Sequence, residues 1–133
     1  MFQPVLQALP AFVTYFAVAV AIVGVFIVAY ALLTPYSELE LIRAGNTAAA
    51  LSLGGALIGM ALPVAIAVVA SHDLYTMLGW GVVACLVQLA AFVIARLTLP
   101  HLCTDIPADK PAAGIFLATL AIGVGILNAA CIL

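Results

Sequence analysis

The sequence predicts an all-α integral membrane protein, a single membrane domain over residues 1–133 with four transmembrane helices in two tandem two-helix hairpins. Hydrophobic residues make up 68% of the chain and charged residues 6%, whereas soluble domains carry about 25% charged residues. All charged side chains except Asp73 lie in two short clusters, within residues 38–43 and 96–110. The apolar segments between them cannot satisfy open backbone groups from lipid, so they are expected to be helices.

Four apolar segments approach the roughly 20 residues that cross a bilayer core of about 30 Å. They cover about residues 11–33, 47–70, 76–97 and 112–133, and the links between them are residues 34–46, 71–75 and 98–111. None of the segments carries a charged side chain in its central part. The first segment is longer than a signal-peptide core and follows no basic residue, which favours a retained helix over a cleaved signal.

The three basic residues indicate how the chain threads the membrane. Arg43, Arg96 and Lys110 all lie in or beside links 34–46 and 98–111. Positively charged links remain in the cytoplasm, so both termini are expected outside. Three basic residues are also too few for a nucleic-acid-binding surface, which leaves membrane lipid as the first expected partner.

A shift of 64 residues aligns the chain with itself. Ile42 falls on Ile106 and Gly59 on Gly123, and eight of the 24 positions over residues 42–65 are identical. The same shift superposes the two polar links. It predicts repeat 1 at about residues 11–70 and repeat 2 at about 75–133. Because each unit contains two spans, both copies insert in the same orientation, as a parallel repeat.

Several motifs resemble those of a known family. They are Glu40-Leu-Ile-Arg-Ala-Gly-Asn-Thr-Ala-Ala-Ala50, Gly55, Gly59, Ala61-Leu-Pro63, Gly79-Trp-Gly81, Gln88 and Ile126-Leu-Asn-Ala-Ala130. This set is similar to the signature of the YjfL-like proteins, catalogued as domain of unknown function 350. The resemblance covers nearly the whole chain. It implies a bacterial inner-membrane location, a tandem two-helix module and an envelope-related setting, and it brings no established activity.

Small residues in the second and fourth spans are candidate helix-packing positions. They are Gly54, Gly55, Gly59, Gly123 and Gly125. Glycines four residues apart let two helix backbones approach closely, which drives association in lipid, where the hydrophobic effect between helices is lost. The sequence leaves open whether this packing lies within one subunit or between subunits of a homo-oligomer.

Polar side chains within the spans form a second candidate set, the polar interior. They are Gln88, Asn128, Ser52 and Thr119. Gln88 and Asn128 differ in depth by roughly 10 Å at 1.5 Å per residue, so each is expected to bond a backbone carbonyl or its counterpart across an oligomer. Two interpretations stay open for these residues: they hold helices together, or they line a pathway.

The first link supplies a third candidate set, the cytoplasmic-face cluster of Glu38, Glu40, Arg43 and Asn46. Glu40 and Arg43 are three residues apart, so they share a helix face and can pair. Asn46 precedes the second span and is expected to cap it. A solvated link helix is the simpler interpretation, and a gate or docking point for a soluble cytoplasmic or membrane partner is the functional one.

No group of residues typical of catalysis stands out. The three cysteines show no paired spacing, and neither a metal site nor a cofactor is predicted. The leading hypothesis is therefore a self-associating scaffold or envelope-integrity component that is not an enzyme. The alternative is a small transporter or channel for a neutral or cationic solute, with a pathway between subunits.

Overall fold

The computed structural model describes residues 2–133, and within them the secondary structure is entirely helical. The helices are α1 (Gln3–Leu33), α2 (Glu38–Arg43), α3 (Thr47–Ala70), α4 (Leu74–Thr98), α5 (Leu102–Asp105) and α6 (Pro111–Ile132). Four of them, α1, α3, α4 and α6, are long and apolar enough to cross a membrane. The predicted all-helical class with four spans is therefore confirmed.

The first span begins earlier than the sequence predicted. Helix α1 starts at Gln3 and continues through Pro10, whereas the predicted span began after that proline. A proline inside a helix removes one backbone hydrogen bond, but long apolar helices tolerate it where neighbouring polar groups bond the freed backbone. The carbonyl that loses its donor here is that of Leu6, on the exposed first part of α1. The 2.9 Å bond from the Thr14 hydroxyl to the Pro10 carbonyl is the usual side-chain bond of a helical threonine and does not replace it.

Helices α3 and α6 form the centre of the bundle and run in the same direction. A Cβ atom at Gly114 would lie 2.8 Å from the Ala48 Cα, and Cβ atoms at Gly55 and Gly125 would meet Ala118 and Gly59. Residue numbers increase in the same direction along both helices from one contact to the next, so the two helices are parallel. This spacing brings backbone against backbone, as small residues allow in membranes.

The other two long helices pack around this pair. Helix α4 is antiparallel to α6 and contacts both central helices, while α1 packs against α3 and α4. The Tyr30 ring of α1 meets the Phe92 ring of α4 edge to face, with centroids 5.1 Å apart. Most of α1 nevertheless faces outward, so α1 is the least enclosed of the four.

The two ends of the bundle differ in construction. We call the end formed by residues 34–46 and 99–110 the link end, and the end formed by residues 71–73 the turn end. Gly45 and Asp109 have positive φ angles of 89° and 56°. In each case the backbone N–H of this residue and that of the next residue donate to carbonyls three and five residues earlier in the chain, respectively. This pair of bonds is the pattern of a Schellman motif, which ends a helix.

Asp73 caps α4 at the turn end, where its carboxylate accepts a 2.7 Å hydrogen bond from the Thr76 backbone N–H. This bond is the largest cause of the lowered pKa of Asp73. A carboxyl with a lowered folded-state pKa contributes stability above its ordinary pKa of about 3.9, and that contribution is lost as pH falls through the folded value.

We therefore expect acid to lower the thermal midpoint of the native protein more than that of Asp73→Asn. The amide keeps the capping oxygen but cannot be protonated in this range. The measurement is a pair of unfolding curves in detergent from pH 6 down to pH 3. Parallel pH profiles for the two proteins would contradict the prediction.

Candidate functional site

Asn46 joins the two links at the link end. Its side-chain oxygen accepts a 2.8 Å hydrogen bond from the Ala49 backbone N–H, so it caps α3 as the sequence predicted. Its amide nitrogen donates to the carbonyls of Ile106 and Pro107 at 3.0 and 3.2 Å. One buried side chain therefore both starts a transmembrane helix and ties the first link to the second.

Asp109 provides a second cap for the same helix. Its carboxylate accepts a 3.0 Å hydrogen bond from the Ala48 backbone N–H, so the beginning of α3 receives oxygen acceptors from both links. Sequence reasoning identified Asn46 and missed Asp109, because Asp109 lies in the other half of the chain. The available signal was the 64-residue register, which places Asp109 opposite Gly45.

Charge pairing at the link end differs from the expected pattern. Lys110 and Asp105 form an ion pair at 3.3 Å. Glu40 and Arg43 are exposed, and among the described residues they do not pair with each other. An exposed ion pair is worth only about 0.2–1 kcal/mol, because holding two long side chains together costs conformational entropy that offsets most of the attraction.

Glu38 departs most from expectation, because its side chain is only 4% exposed. The sequence placed it on a solvated link helix, but α2 packs against α3 and turns Glu38 inward. Tyr36 and Glu38 lie near the Tyr30 hydroxyl, and the thiol of Cys103 is also near. The Ser52 hydroxyl is close to the Tyr30 hydroxyl but does not meet the geometry of a hydrogen bond with it. We call Glu38, Tyr30, Tyr36 and Ser52 the Glu38 cluster.

Three oxygen atoms of the Glu38 cluster are buried without a hydrogen-bond partner. They are the hydroxyls of Tyr30 and Tyr36 and the Oε1 atom of Glu38. Burial, and then the neighbouring Glu38 carboxylate, raise the pKa of Tyr36 well above its usual range, so its hydroxyl keeps its proton. Unsatisfied buried oxygens are uncommon in folded proteins, and each calls for an explanation.

The two amides of the polar interior tie α4 to α6. Gln88 Nε2 donates to the Ala121 carbonyl at 3.1 Å, and Asn128 Nδ2 donates to the Ala84 carbonyl at 3.3 Å. They do not bond each other, as their separation in depth predicted. We call these two bonds the amide clasps.

The two hydroxyl residues of the polar interior lie on different sides of the bundle. Ser52 is fully buried in α3 and donates to the Ala49 carbonyl at 3.0 Å. Thr119 is exposed on α6 and donates to the Ile115 carbonyl at 2.7 Å. The structure therefore brings Ser52, Gln88 and Asn128 into one core at three depths and leaves Thr119 outside it.

The candidate glycines divide in the same way. Gly55, Gly59 and Gly125 lie in the α3–α6 contact, where a Cβ atom would overlap the facing helix. Gly54 and Gly123 have open space where a side chain would stand. The first group packs within the subunit, and the second group faces away from it.

Two cavities flank the core. A groove of about 960 Å³ lies between α1 and α3 toward the turn end, and apolar side chains line almost all of it. A second cavity of about 10 Å³ lies beside Gln88, Tyr30 and Phe92, which is about the space of one water molecule. Within residues 2–133, no three His, Cys, Asp or Glu side chains come together as a metal site.

Comparisons with known proteins give one family model and relatives named as membrane proteins. The family model described as Domain of Unknown Function (DUF350) matches residues 4–132. The UPF0719 inner membrane protein YjfL of Escherichia coli strain K12 is 39% identical over 127 residues, 96% of each chain. The UPF0719 transmembrane protein YshE of Bacillus subtilis strain 168 is 30% identical over 118 residues, 87% of this chain and 88% of that protein. No solved structure matches the chain.

Proposed function

Since the chain belongs to the DUF350 family, as its motifs predicted, we propose that it is a self-associating inner-membrane subunit with a structural role in the cell envelope. The relatives named as inner membrane or transmembrane proteins and the four apolar helices fit a multi-pass membrane protein. Self-association and a scaffold role go beyond these similarities and depend on the surface of the bundle.

The observation that carries the proposal is the second small-residue face of α6. Gly114 and Gly125 pack inward against α3, whereas Thr119 and Gly123 are exposed, and Gly123 has open space beside it. Thr119 and Gly123 are four residues apart, so they lie one above the other. A pair of small residues at this spacing is typical of helix–helix contacts in membranes, and within residues 2–133 both positions are left exposed.

We expect Gly123→Leu to weaken self-association at least about tenfold, because a large side chain would hold two α6 helices apart. The measurement is energy transfer between labelled subunits in liposomes as the protein-to-lipid ratio is lowered. Gly79→Leu is the matched control, since Gly79 is also exposed on a long helix with open space beside it. A native protein that stays monomeric at every dilution would contradict the proposal.

The transporter alternative gains less from the geometry. Gln88 and Asn128, which were to line a pathway between subunits, are buried within one subunit and donate to backbone carbonyls. This arrangement supports a bundle-stabilising role for both amides. Solute flux through reconstituted liposomes that is lost in Gln88→Leu would instead favour transport.

We also propose that the chain is a tandem repeat of two-helix hairpins, with boundaries near residues 11–70 and 75–133. Gly45 and Asp109, which are 64 residues apart, have the same left-handed backbone and the same pair of closing bonds. Gly59 contacts Ala121 and Gly125, which flank its repeat counterpart Gly123. Both features support two copies related by an axis along α3 and α6.

The groove marks a difference between the two proposed repeats. The amide clasps join α4 to α6 in the second repeat. A shift of 64 residues carries their four residues onto four positions of α1 and α3, none of which holds an Asn or a Gln. The counterparts are Gly24, Leu57, Val20 and Val64, and all of them line the groove. The first hairpin therefore lacks the bonds that hold the second one together.

For the orientation, we propose that the link end faces the cytoplasm and that both termini lie outside. Arg43 and Lys110 belong to the link end, and Arg96 lies in the last turn of α4 beside it. The positive-inside rule supports this placement. In that orientation, exposed Glu40 and Arg43 are accessible to a soluble cytoplasmic partner.

A further inference from the structure

The Glu38 cluster is a buried group of oxygen atoms, three of which lack a hydrogen-bond partner. The side chains of Glu38 and Tyr30 are 4% and 2% exposed, and the unpartnered atoms of both are buried. Their surroundings join three elements: the last turn of α1, the short helix α2 and the first turns of α3. A carboxylate is an acceptor only, so Glu38 Oε1 needs a donor or a cation.

No basic side chain of the link end neutralises Glu38 within the described residues. Lys110 pairs with Asp105 instead, and Arg43 is exposed. Arg96 is near Tyr36 and opposes the rise of its pKa, but Arg96 is exposed and its guanidinium donates to the Leu33 carbonyl at 3.4 Å. An ionised carboxylate that is buried without a partner is strongly unfavourable.

We propose that the Glu38 cluster binds a monovalent inorganic cation, Na⁺ or K⁺, at the link end. Carboxylate and hydroxyl oxygens are the ligands of hard cations, whereas imidazole and thiolate suit transition metals. The cluster contributes one carboxylate from Glu38 and hydroxyls from Tyr30, Tyr36 and Ser52. A single carboxylate balances one positive charge, and a divalent ion would leave an excess charge in the same buried place.

The bound cation would hold the link end of α1 against α3. Tyr30 belongs to α1 and Ser52 to α3, while Glu38 and Tyr36 come from the segment that connects these helices. A shared ion would therefore fix the first hairpin at this end, opposite the groove. This site is distinct from the exposed α6 face, so the cation proposal and the self-association proposal can fail independently.

The test uses the full-length protein in detergent, with N-methylglucamine chloride replaced stepwise by NaCl or KCl at constant ionic strength. A ligand that binds only the folded state raises the thermal midpoint in a saturable way. We expect that rise with Na⁺ or K⁺ and its loss in Glu38→Gln. Glu40→Gln is the matched control, because Glu40 is an exposed carboxylate on the same short helix, and it should respond like the native protein.

Two further results decide the proposal. Tyr36→Phe removes one hydroxyl outside the spans and should raise the half-saturating cation concentration about tenfold. Binding of radioactive Na⁺ and K⁺ to the native protein, measured by equilibrium dialysis, does not depend on whether Glu38→Gln folds. A native protein that binds neither ion, or a Glu38→Gln variant that keeps the native half-saturating concentration, would overturn the assignment.

Discussion

Replacing Gly125 with alanine is expected to lower the free energy of unfolding by about 3 kcal/mol, the upper part of the range for overpacked sites. The new methyl group would overlap the Gly59 carbonyl oxygen and lie 2.8 Å from the Gly59 Cα. These atoms belong to backbone in the middle of α3, so no side chain can rotate away. The two central helices must separate, and with them goes the close packing that holds helices together in lipid.

Gly123→Ala is the control for this experiment. It makes the same substitution two residues earlier on the same helix, where a methyl group meets open space. Its expected effect on unfolding is close to zero or slightly favourable, since alanine is the better helix former. The measurement is unfolding in mild detergent, followed by circular dichroism. Equal stability of the two variants would mean that α3 and α6 do not meet at Gly125.

The second large effect is expected at Asn46, where alanine should lower the free energy of unfolding by about 2–3 kcal/mol. Loss of an Asn cap costs about 1 kcal/mol. Loss of two hydrogen bonds to buried or partly buried carbonyls adds about 1 kcal/mol for each. Asn46 makes all three interactions, so one substitution releases the start of α3 and separates the links.

Asn46→Asp distinguishes the two roles of this side chain. A carboxylate keeps the oxygen that caps Ala49 but offers no donor to the carbonyls of Ile106 and Pro107. We expect a loss between those of the native protein and Asn46→Ala, measured by the same unfolding experiment. If Asn46→Asp were as stable as the native protein, the bonds across the two links would contribute nothing.

The spans could be predicted because they depend on local composition. Helix α3 covers residues 47–70 as expected, and α4 and α6 begin and end within about two residues of their predicted bounds, the usual uncertainty of helix ends. Only α1 was clearly too short. Its first two turns carry no charged residue, although they include Gln3 and Gln7, and Pro10 near the start of a long helix costs only the hydrogen bond to the Leu6 carbonyl.

The candidate site was less predictable because its residues meet through the tertiary structure. Asn46 was recognisable as a cap from its place before an apolar run. Glu38 was placed in solvent, since nothing in a short charged helix tells which side packs against the bundle. Asp109 was missed for a related reason, because its bonding partner belongs to a helix in the other half of the chain.

The parallel contact of α3 with α6 also has a consequence for how the chain is made. Helix α3 packs against α6, and α4 lies between them in the chain, so the glycine face of α3 waits until α6 has been synthesised. During that interval, the amide of Asn46 lacks its carbonyl acceptors, and the Asp109 cap does not yet exist. Helix α6 is therefore the one that covers the glycine face of α3, and a chain released before α6 is made leaves that face exposed to a neighbouring copy.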